Sequence, residues 1–166
     1  MNPVNIRTLQ RSDAEALLRF EIDNREWFER HIDSRGSQFY SAQGVNEHIL
    51  ACLSDFAAGI WHPFVIEEPG GKIVGRANLK GIDSAGGSAQ VGYRIAQRAC
   101  GQGLATLAVQ HLIQQAQTVW SLKQLVAEVY VANIASAKVL KRCGFLIDHV
   151  THKDGTEHGY RFGLSI

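Results

Sequence analysis

The segment RACGQGLAT, which runs from Arg98 to Thr106, contains two glycines where a strand-like pattern gives way to a helical one. Glycine permits a positive φ, and its lack of a Cβ lets backbone N–H groups approach a ligand closely. A helix that begins here would add unpaired amides and a positive dipole end, which together favour a phosphate or pyrophosphate. Arg98 can supply a full positive charge and the Thr106 hydroxyl a further donor. The segment indicates an anion-binding loop, although a turn that needs glycine only for its geometry explains so short a pattern about equally well.

This loop matches neither of the two familiar nucleotide-binding patterns. A Walker loop requires Gly-Lys-Ser/Thr, and that tripeptide does not follow Gly103. The dinucleotide fingerprint requires a third glycine and an acidic residue about 20 positions further on, and both are missing. The loop therefore needs a different explanation from either of those folds.

A second motif begins at Asn133, 30 residues after Gly103, and reads NIASAKVLKRCGF up to Phe145. It resembles the N-x-x-S…G-F element of the GNAT N-acetyltransferase superfamily. Arg98-x-x-Gly101-x-Gly103 resembles the Q/R-x-x-G-x-G/A pyrophosphate loop of the same superfamily. The chain is similar in particular to the branch that includes the ribosomal-protein N-terminal acetyltransferases (Rim-type). The resemblance covers nearly the whole chain and is weakest over residues 25–59, where acceptor-binding segments vary in the family.

The resemblance implies an enzyme that transfers an acetyl group from acetyl-CoA to a primary amine by direct attack in a ternary complex. The amine would belong either to a protein N-terminus or to a small molecule. The backbone around Ile95 and Gln97 would bind the pantetheine arm, at a splay between the strand ending at Ala96 and the strand starting near Leu125. The N–H of Ile95 would polarise the thioester carbonyl. The pyrophosphate is assigned in the same way to loop amides, those of Cys100, Gly101, Gln102, Gly103, Leu104 and Ala105.

Catalytic roles are implied by the second motif. Asn133 would contact the pantetheine or an ordered water near the thioester, and Ser136 would lie close to the sulfur. Leu140 stands where many members of the superfamily carry the tyrosine that protonates the leaving thiolate. That tyrosine is often absent from the Rim-type branch, which leaves Ser136 or a water as the proton donor.

One further position departs from the family pattern, and the pattern does not identify the general base. The residue before Gly101 is usually basic but is Cys100 here, so Arg98 or Arg142 is expected to compensate. The general base is open, because the strand from 89 to 96 carries no carboxylate. Glu128, on the next strand, could accept the amine proton directly or through water; a water relay without a dedicated side chain serves equally well. Glu128 also has an explanation without a catalytic role: its side chain is exposed to solvent on the strand or pairs with an arginine.

Hydrophobic periodicity and turn signals predict an α/β (α+β) domain in the order β-α-α-β-β-β-α-β-α-β-β. The predicted strands lie near residues 4–9, 61–68, 72–81, 89–96, 125–131, 145–150 and 159–166. The predicted helices lie near residues 14–24, 45–57, 103–119 and 134–143. The unit from 89 to 131 is a crossover, so its two strands are expected to run parallel in a mixed sheet that is otherwise mostly antiparallel and flanked by helices, as in GNAT proteins. We expect one acetyltransferase domain over residues 1–166.

Composition excludes several other classes of function. A formal net charge of +1 without a long Lys/Arg run gives no case for nucleic acid. No apolar run approaches the roughly 20 residues that cross a bilayer, and the first ten residues lack the apolar core of a signal peptide. The three cysteines have no metal-ligand spacing and indicate reduced thiols. We therefore expect a cytoplasmic protein that acts without a metal or a membrane; a homodimer is left open, because many relatives pair.

Other functions stay open at this point. One alternative is acetylation of a polyamine, an aminoglycoside-like compound or an amino acid. Acidic residues in and near the variable segment, residues 25–59, favour a polycationic acceptor. Arginines among them, such as Arg19 and Arg35, weaken that indication. A second alternative is a non-catalytic acyl-CoA-binding sensor. Four aromatic residues of the segment either line the acceptor site or pack in the core: Trp27, Phe28, Phe39 and Tyr40.

Overall fold

A computed structural model describes residues 3–30 and 33–166 of the chain and centres on a seven-stranded sheet. The strands are β1 (Asn5–Thr8), β2 (Trp61–Glu67), β3 (Ile73–Asp83), β4 (Ser88–Ile95), β5 (Gln124–Tyr130), β6 (Leu146–Lys153) and β7 (Thr156–Ser165). The helices are α1 (Ala14–Asp23), α2 (Arg25–Phe28), α3 (Ala42–Ala57), α4 (Leu104–Thr118) and α5 (Ile134–Arg142). The predicted order is confirmed apart from α2, a single turn that the sequence pattern did not indicate.

The strands lie side by side in the order β1-β2-β3-β4-β5-β7-β6. Every neighbouring pair is antiparallel except β4 and β5, which run parallel. The predicted mixed, mostly antiparallel sheet is therefore confirmed, as is the parallel crossover through α4.

The helices form because apolar residues recur at helical spacing and local polar groups cap their ends. In α3, the Ser41 hydroxyl caps the N-terminus by accepting a hydrogen bond from Gly44 N at 3.0 Å. Val45, Ile49 and Cys52 follow one another on its buried face. In α4 the buried positions recur every four residues, at Leu104, Ala108, Leu112 and Ala116. Both helices thus present one apolar side to the sheet.

The helices cover both faces of the sheet. Successive side chains of a strand point to opposite faces. On β4, Tyr93 contacts Ser136 of α5, whereas the next residue, Arg94, contacts Glu21 of α1. Helices α4 and α5 therefore lie on one face, which we call the α4/α5 face, and α1 lies with α3 on the other, which we call the α1/α3 face.

Strands β4 and β5 are paired only near their beginnings. The register joins Ser88–Gln90 to Gln124–Val126, and the two strands diverge beyond it. On its other edge β4 stays bonded to β3, where Ala96 N donates to Val74 O at 2.8 Å. Hydrogen-bonded and non-hydrogen-bonded pairs alternate along an antiparallel ladder, so the N–H of Ile95 faces the gap instead. The sheet thus opens where the resemblance to GNAT proteins implies a splay.

The described residues between Arg25 and Tyr40 form only short elements, because their aromatic side chains pack locally rather than along a helical stripe. The Phe28 ring lies 5.3 Å from that of Phe20, and the Arg94 guanidinium lies 5.0 Å from the centre of the Phe28 ring. Phe39 forms edge contacts with Tyr40 and with His48. Phe28 is a core residue that also reaches the cavity described below. Within the described residues, no helix is long and apolar enough to cross a membrane.

His62 of β2 is a buried polar residue with both ring nitrogens engaged. Trp120 Nε1 donates to its Nδ1 at 2.9 Å, so its Nε2 carries the proton and lies 2.9 Å from Thr8 Oγ1. The ring stacks between Phe56 and Phe64, with centroids 4.4 and 4.0 Å away. This environment suits only the neutral ring, and burial lowers the pKa of His62 to about 4, helped by repulsion from His111.

A pH-dependent loss of stability follows from that shift. The unfolded state takes up a proton at His62 below pH of about 6.5, whereas the folded state does so only near pH 4. Folding stability should therefore fall as pH drops from 6.5 to 4, with up to about 3 kcal/mol due to this residue. Urea unfolding at pH 7 and pH 4.5 should show a smaller pH-dependent difference for His62→Gln than for the wild type. A His62 imidazole resonance that titrates near pH 6.5 in the folded protein would contradict this account.

Candidate active site

A cavity of about 1190 Å³ lies at the gap between β4 and β5. Its lining includes residues of both sheet faces, among them Tyr93 and Ser136 on the α4/α5 face and Arg76 and Arg94 on the α1/α3 face. The cavity therefore connects the two sides of the sheet through the opened strands. A molecule bound at α4 could meet a second molecule that approaches from the α1/α3 face.

The glycine loop forms one end of this cavity. Gly101 and Gly103 have φ angles of 77° and 80°, in the left-handed region that favours glycine, and a Cβ at either would project into open space. The first bond of the helix runs from Leu107 N to Gly103 O at 3.1 Å. In the part of the chain that the structure describes, the amides from Gly101 to Thr106 have no protein acceptor. A phosphate placed at this helix end would meet unpaired donors and a positive dipole, so the loop fits a pyrophosphate.

The charged side chains expected at the loop occupy different positions. Arg142 Nη1 lies 3.5 Å from Thr106 Oγ1, and both residues line the cavity. Arg98 instead donates to Glu68 Oε1 at 2.9 Å in an exposed pair, and that hydrogen bond raises the pKa of Arg98. Arg98 is absent from the cavity lining, so Arg142 is the cation positioned to replace the usual basic residue at Cys100.

The backbone groups expected to bind pantetheine differ in their availability. Gln97 N donates to Asn24 Oδ1 at 3.0 Å, and Gln97 O accepts from Cys100 N at 3.3 Å. Both backbone groups of Gln97 are therefore engaged within the protein. The Ile95 N–H faces the gap between the strands, so Ile95 is the better-placed donor of the two.

Side chains of α5 meet β4 on the α4/α5 face of the cavity. Ser136 Oγ lies 2.6 Å from the Tyr93 hydroxyl, and either oxygen can be the donor. Asn133 Oδ1 accepts a hydrogen bond from Ser136 N at 3.2 Å and so caps α5. The first role of Asn133 in the structure is thus to begin the helix that holds Ser136 in place.

Tyr93 is a candidate functional residue that the sequence did not point to. Burial raises its pKa to about 12, even though its hydrogen bond with Ser136 acts in the opposite direction. The phenol therefore keeps its proton at neutral pH and can donate a hydrogen bond. Its position two residues before Ile95 places it on the same strand face, which is the one signal the sequence held. Its contact with Ser136, 43 residues away, could not be read from spacing.

Glu128 lies on the opposite face from Tyr93. Gln90 and Val126 are in register on the parallel pair, so Arg94 and Glu128, at even spacings from them, both point to the α1/α3 face. Glu128 is exposed and lines the cavity, with Arg161 as its cross-strand neighbour on β7. It therefore lies on the side from which an acceptor would approach.

The thiols near the cavity are not activated. Burial raises the pKa of Cys100 and of Cys143, and the charge of Arg142 only partly offsets this at Cys143. A neutral thiol is a poor nucleophile, so neither cysteine is suited to carry an acyl group. Among the described residues, no group of His, Cys, Asp and Glu is arranged to hold a metal ion.

Comparisons with known proteins agree with this geometry. The sequence profile of the family described as "Acetyltransferase (GNAT) domain" matches residues 4–146. The "Probable N-acetyltransferase YjcK" of Bacillus subtilis (strain 168) is 26% identical over 154 residues, which cover 92% of this chain and 82% of that protein.

Solved structures show the same fold. Ribosomal-protein-S5-alanine acetyltransferase from Vibrio fischeri superposes with a TM-score of 0.92 at 21% identity, covering 99% of this chain and 94% of that one. RimJ of Mycobacterium smegmatis, solved in complex with CoA-disulfide, gives a TM-score of 0.87 at 23% identity over 98% of this chain and 81% of that one.

The glycine loop can be tested by filling it. Gly103→Val places a Cβ where the phosphate would lie, so we expect acetyl-CoA to bind at least about tenfold more weakly in calorimetric titration. Gly155→Val is the matched control, because Gly155 has a φ of 77° and equally open surroundings in the β6–β7 turn. Equal acetyl-CoA affinity in both variants would show that the loop does not bind the phosphates.

Proposed function

Because this chain belongs to the GNAT family of acetyltransferases, we propose that it transfers the acetyl group of acetyl-CoA to a primary amine by direct attack in a ternary complex. The observation that carries the proposal is the opened sheet, which joins a loop of unpaired amides at α4 to an approach on the α1/α3 face. The similarity to the "Probable N-acetyltransferase YjcK" over 82% of that protein supports the transfer, and the structure of RimJ in complex with CoA-disulfide supports the cosubstrate.

The loop and its neighbours would hold the cosubstrate by its phosphates. The amides of Cys100, Gly101, Gln102, Gly103, Leu104 and Ala105 would surround the pyrophosphate, with Thr106 and Arg142 beside them. Cys100 N is partly engaged with Gln97 O, so the amides from Gly101 onward are the stronger donors. The thioester would then lie in the gap, within reach of the Ile95 N–H.

The reaction exchanges one proton between nitrogen and sulfur. The amine nitrogen forms a bond to the thioester carbon, the carbon–sulfur bond breaks, and the amine loses one proton while CoA leaves as the thiol. The Ile95 N–H would stabilise the charge that develops on the carbonyl oxygen. A free α-amine, with a pKa near 7.7–8.0, is already partly neutral at physiological pH, whereas a lysine amine near 10.4 needs more assistance.

The Ser136–Tyr93 pair would stabilise the departing sulfur. A thiol has a pKa near 8.5, well below the pKa of about 12 of Tyr93, so the phenol does not give up its proton outright to a thiolate. The pair acts instead as a chain of hydrogen-bond donors, in which Tyr93 donates to Ser136 and Ser136 donates to the sulfur, and the thiolate takes the proton that makes it a thiol from water. Glu128, on the other face, would accept the amine proton directly or through water.

The proposed activity is tested by measuring free thiol release from acetyl-CoA with a panel of small amines and N-terminal peptides. Acceptor-dependent release, with the product identified by mass spectrometry as an amide, supports acetyl transfer. Tight acetyl-CoA binding without release on any acceptor would support the acyl-CoA-binding sensor instead.

Removal of the Ser136 hydroxyl should slow the reaction without weakening cosubstrate binding. For Ser136→Ala we expect kcat to fall by about tenfold to a hundredfold, with little change in the Kd of acetyl-CoA. Tyr93→Phe should have a smaller effect, and the double variant should lose little more than Ser136→Ala, because Tyr93 acts through Ser136. A kcat of Ser136→Ala equal to that of the wild type from pH 6 to 9 would exclude this residue from the mechanism.

Glu128 can be distinguished from a water relay by the pH dependence of its variant. Glu128→Gln should lower kcat/KM by about tenfold or more at pH 6–7. The loss should narrow towards pH 9, because more of the amine is then neutral without assistance. Glu15→Gln, an exposed change on α1, serves as the control. Equal rates for Glu128→Gln and the control at every pH would leave deprotonation to water.

A further inference from the structure

Three arginine side chains gather on the α1/α3 face of the cavity. Arg76 of β3 and Arg94 of β4 are directly opposite each other across the antiparallel pair, so they point to the same face. Arg35, from the segment before α3, lies with them. All three line the cavity on the side from which an acceptor would approach.

The cluster contains one carboxylate for three guanidinium groups. Glu21 of α1 is 1% exposed, and its Oε2 accepts from Arg35 Nη1 at 3.2 Å. Its Oε1 lies 3.2 Å from Arg94 Nη2 but without hydrogen-bond geometry. The single carboxylate is therefore shared between two arginines and is only partly satisfied by either.

Arg76 has no carboxylate partner in the described part of the chain. It is 3% exposed, and its Nε is buried without a hydrogen-bond acceptor. Cys52, which also lines the cavity, is a thiol whose pKa burial raises and the charge of Arg76 lowers. An unpaired buried charge is costly to a folded protein, so its retention beside an open cavity needs an explanation.

The electrostatic environment agrees with a shortage of negative charge. Burial lowers the pKa of Arg94 to about 9; Glu21 opposes this shift, and repulsion from Arg76 and Arg35 adds to it. Burial, with repulsion from the same three arginines, lowers the pKa of His48 to about 3. His48 is therefore neutral and leaves the local charge unchanged.

The other charges on this side do not remove the excess. Burial lowers the pKa of Lys80 and Arg94 lowers it further, while the charge of Glu128 acts in the opposite direction. Lys80 and Glu128 thus approximately balance each other. Asp33 lies exposed among the residues that line the cavity. The excess positive charge is concentrated at the buried end, around Arg76.

We propose that Arg76, with Arg94 and Arg35, binds an oxyanion that the acceptor molecule carries in addition to its amine. The guanidinium fork matches the two oxygens of a carboxylate or the oxygens of a phosphate. This inference rests on the proposed acetyl transfer and narrows its substrate class to anionic amines. A polycationic acceptor would be repelled by the same cluster, which disfavours polyamines.

The substrate class can be measured with pairs of amines that differ by one anionic group. Alanine is compared with alaninamide, Ala-Asp amide with Ala-Asn amide, and O-phosphoethanolamine with ethanolamine. Each kcat/KM is calculated from the concentration of the unprotonated amine. We expect the anionic member of at least one pair to be preferred by about tenfold or more, the order of a charge-assisted hydrogen bond. The pair that shows the preference identifies the source: a free amino acid, an acidic peptide or a phosphate monoester.

Arg76→Met tests whether the arginine is responsible. It should abolish the preference while activity on the neutral member persists, and its thermal midpoint should not fall, because the variant loses an uncompensated buried charge. Arg19→Gln on the exposed side of α1 is the control for loss of one positive charge and should keep the preference. Equal kcat/KM for both members of every pair would overturn the proposal, as would an unchanged preference in Arg76→Met.

Binding separates this inference from the proposed activity. The N-acetyl products of the three pairs, such as N-acetylalanine and N-acetylalaninamide, are titrated by calorimetry into the CoA-loaded wild type and Arg76→Met. Tighter binding of an anionic product to the wild type, lost in Arg76→Met, supports the arginine site even if no amine is acetylated, and only the proposed activity would then fail. Equal binding of the anionic and the neutral N-acetyl product in all three pairs to the wild type would overturn the inference whether or not amines are acetylated.

Discussion

The site depends on the separation of β4 from β5, because a sheet that opens leaves backbone groups that something else must satisfy. These strands are joined over only three residue pairs before they part, and each then remains bonded to a different neighbour. The result is an aperture through the sheet that the rest of the fold holds open. The Ile95 N–H faces this aperture, and the glycine loop lies directly beyond the end of the strand that carries it.

The two sides of the aperture differ in their chemistry. The α4/α5 face presents the unpaired amides of the glycine loop and the neutral hydroxyls of Tyr93 and Ser136. Its cation Arg142 lies beside the loop. The α1/α3 face presents charged side chains, among them the buried Arg76 and the exposed Glu128. This separation suits a reaction between a large cosubstrate with negatively charged phosphates and an amine that must lose a proton. It also keeps the arginine cluster apart from the phosphates, because the sheet lies between them.

The elements themselves were largely predictable. The long α4 and the crossover that it forms follow from apolar spacing and from the glycine pair that precedes it, and these are local properties of the chain. Helix α2 was not predictable, because a single turn has no periodicity and Phe28 is held by Phe20 and Arg94. The loop residues were also found from the sequence, since glycines at a strand–helix junction imply both a backbone conformation and a helix end.

The sequence by itself determined the order of the main elements, the position of the glycine loop at the start of α4 and the motif that forms α5, because each depends on neighbouring residues. Only the tertiary structure decided which side chains meet. It brought Tyr93 to Ser136, turned Arg98 to Glu68 and engaged the backbone of Gln97 with Asn24 and Cys100. It also left Arg76 without a carboxylate. These outcomes depend on strand register and on how helices pack across the sheet, and the energies involved are sums over contacts between residues far apart in the chain. Periodicity shows that a strand will have two faces, but only the packed fold shows what each face contacts.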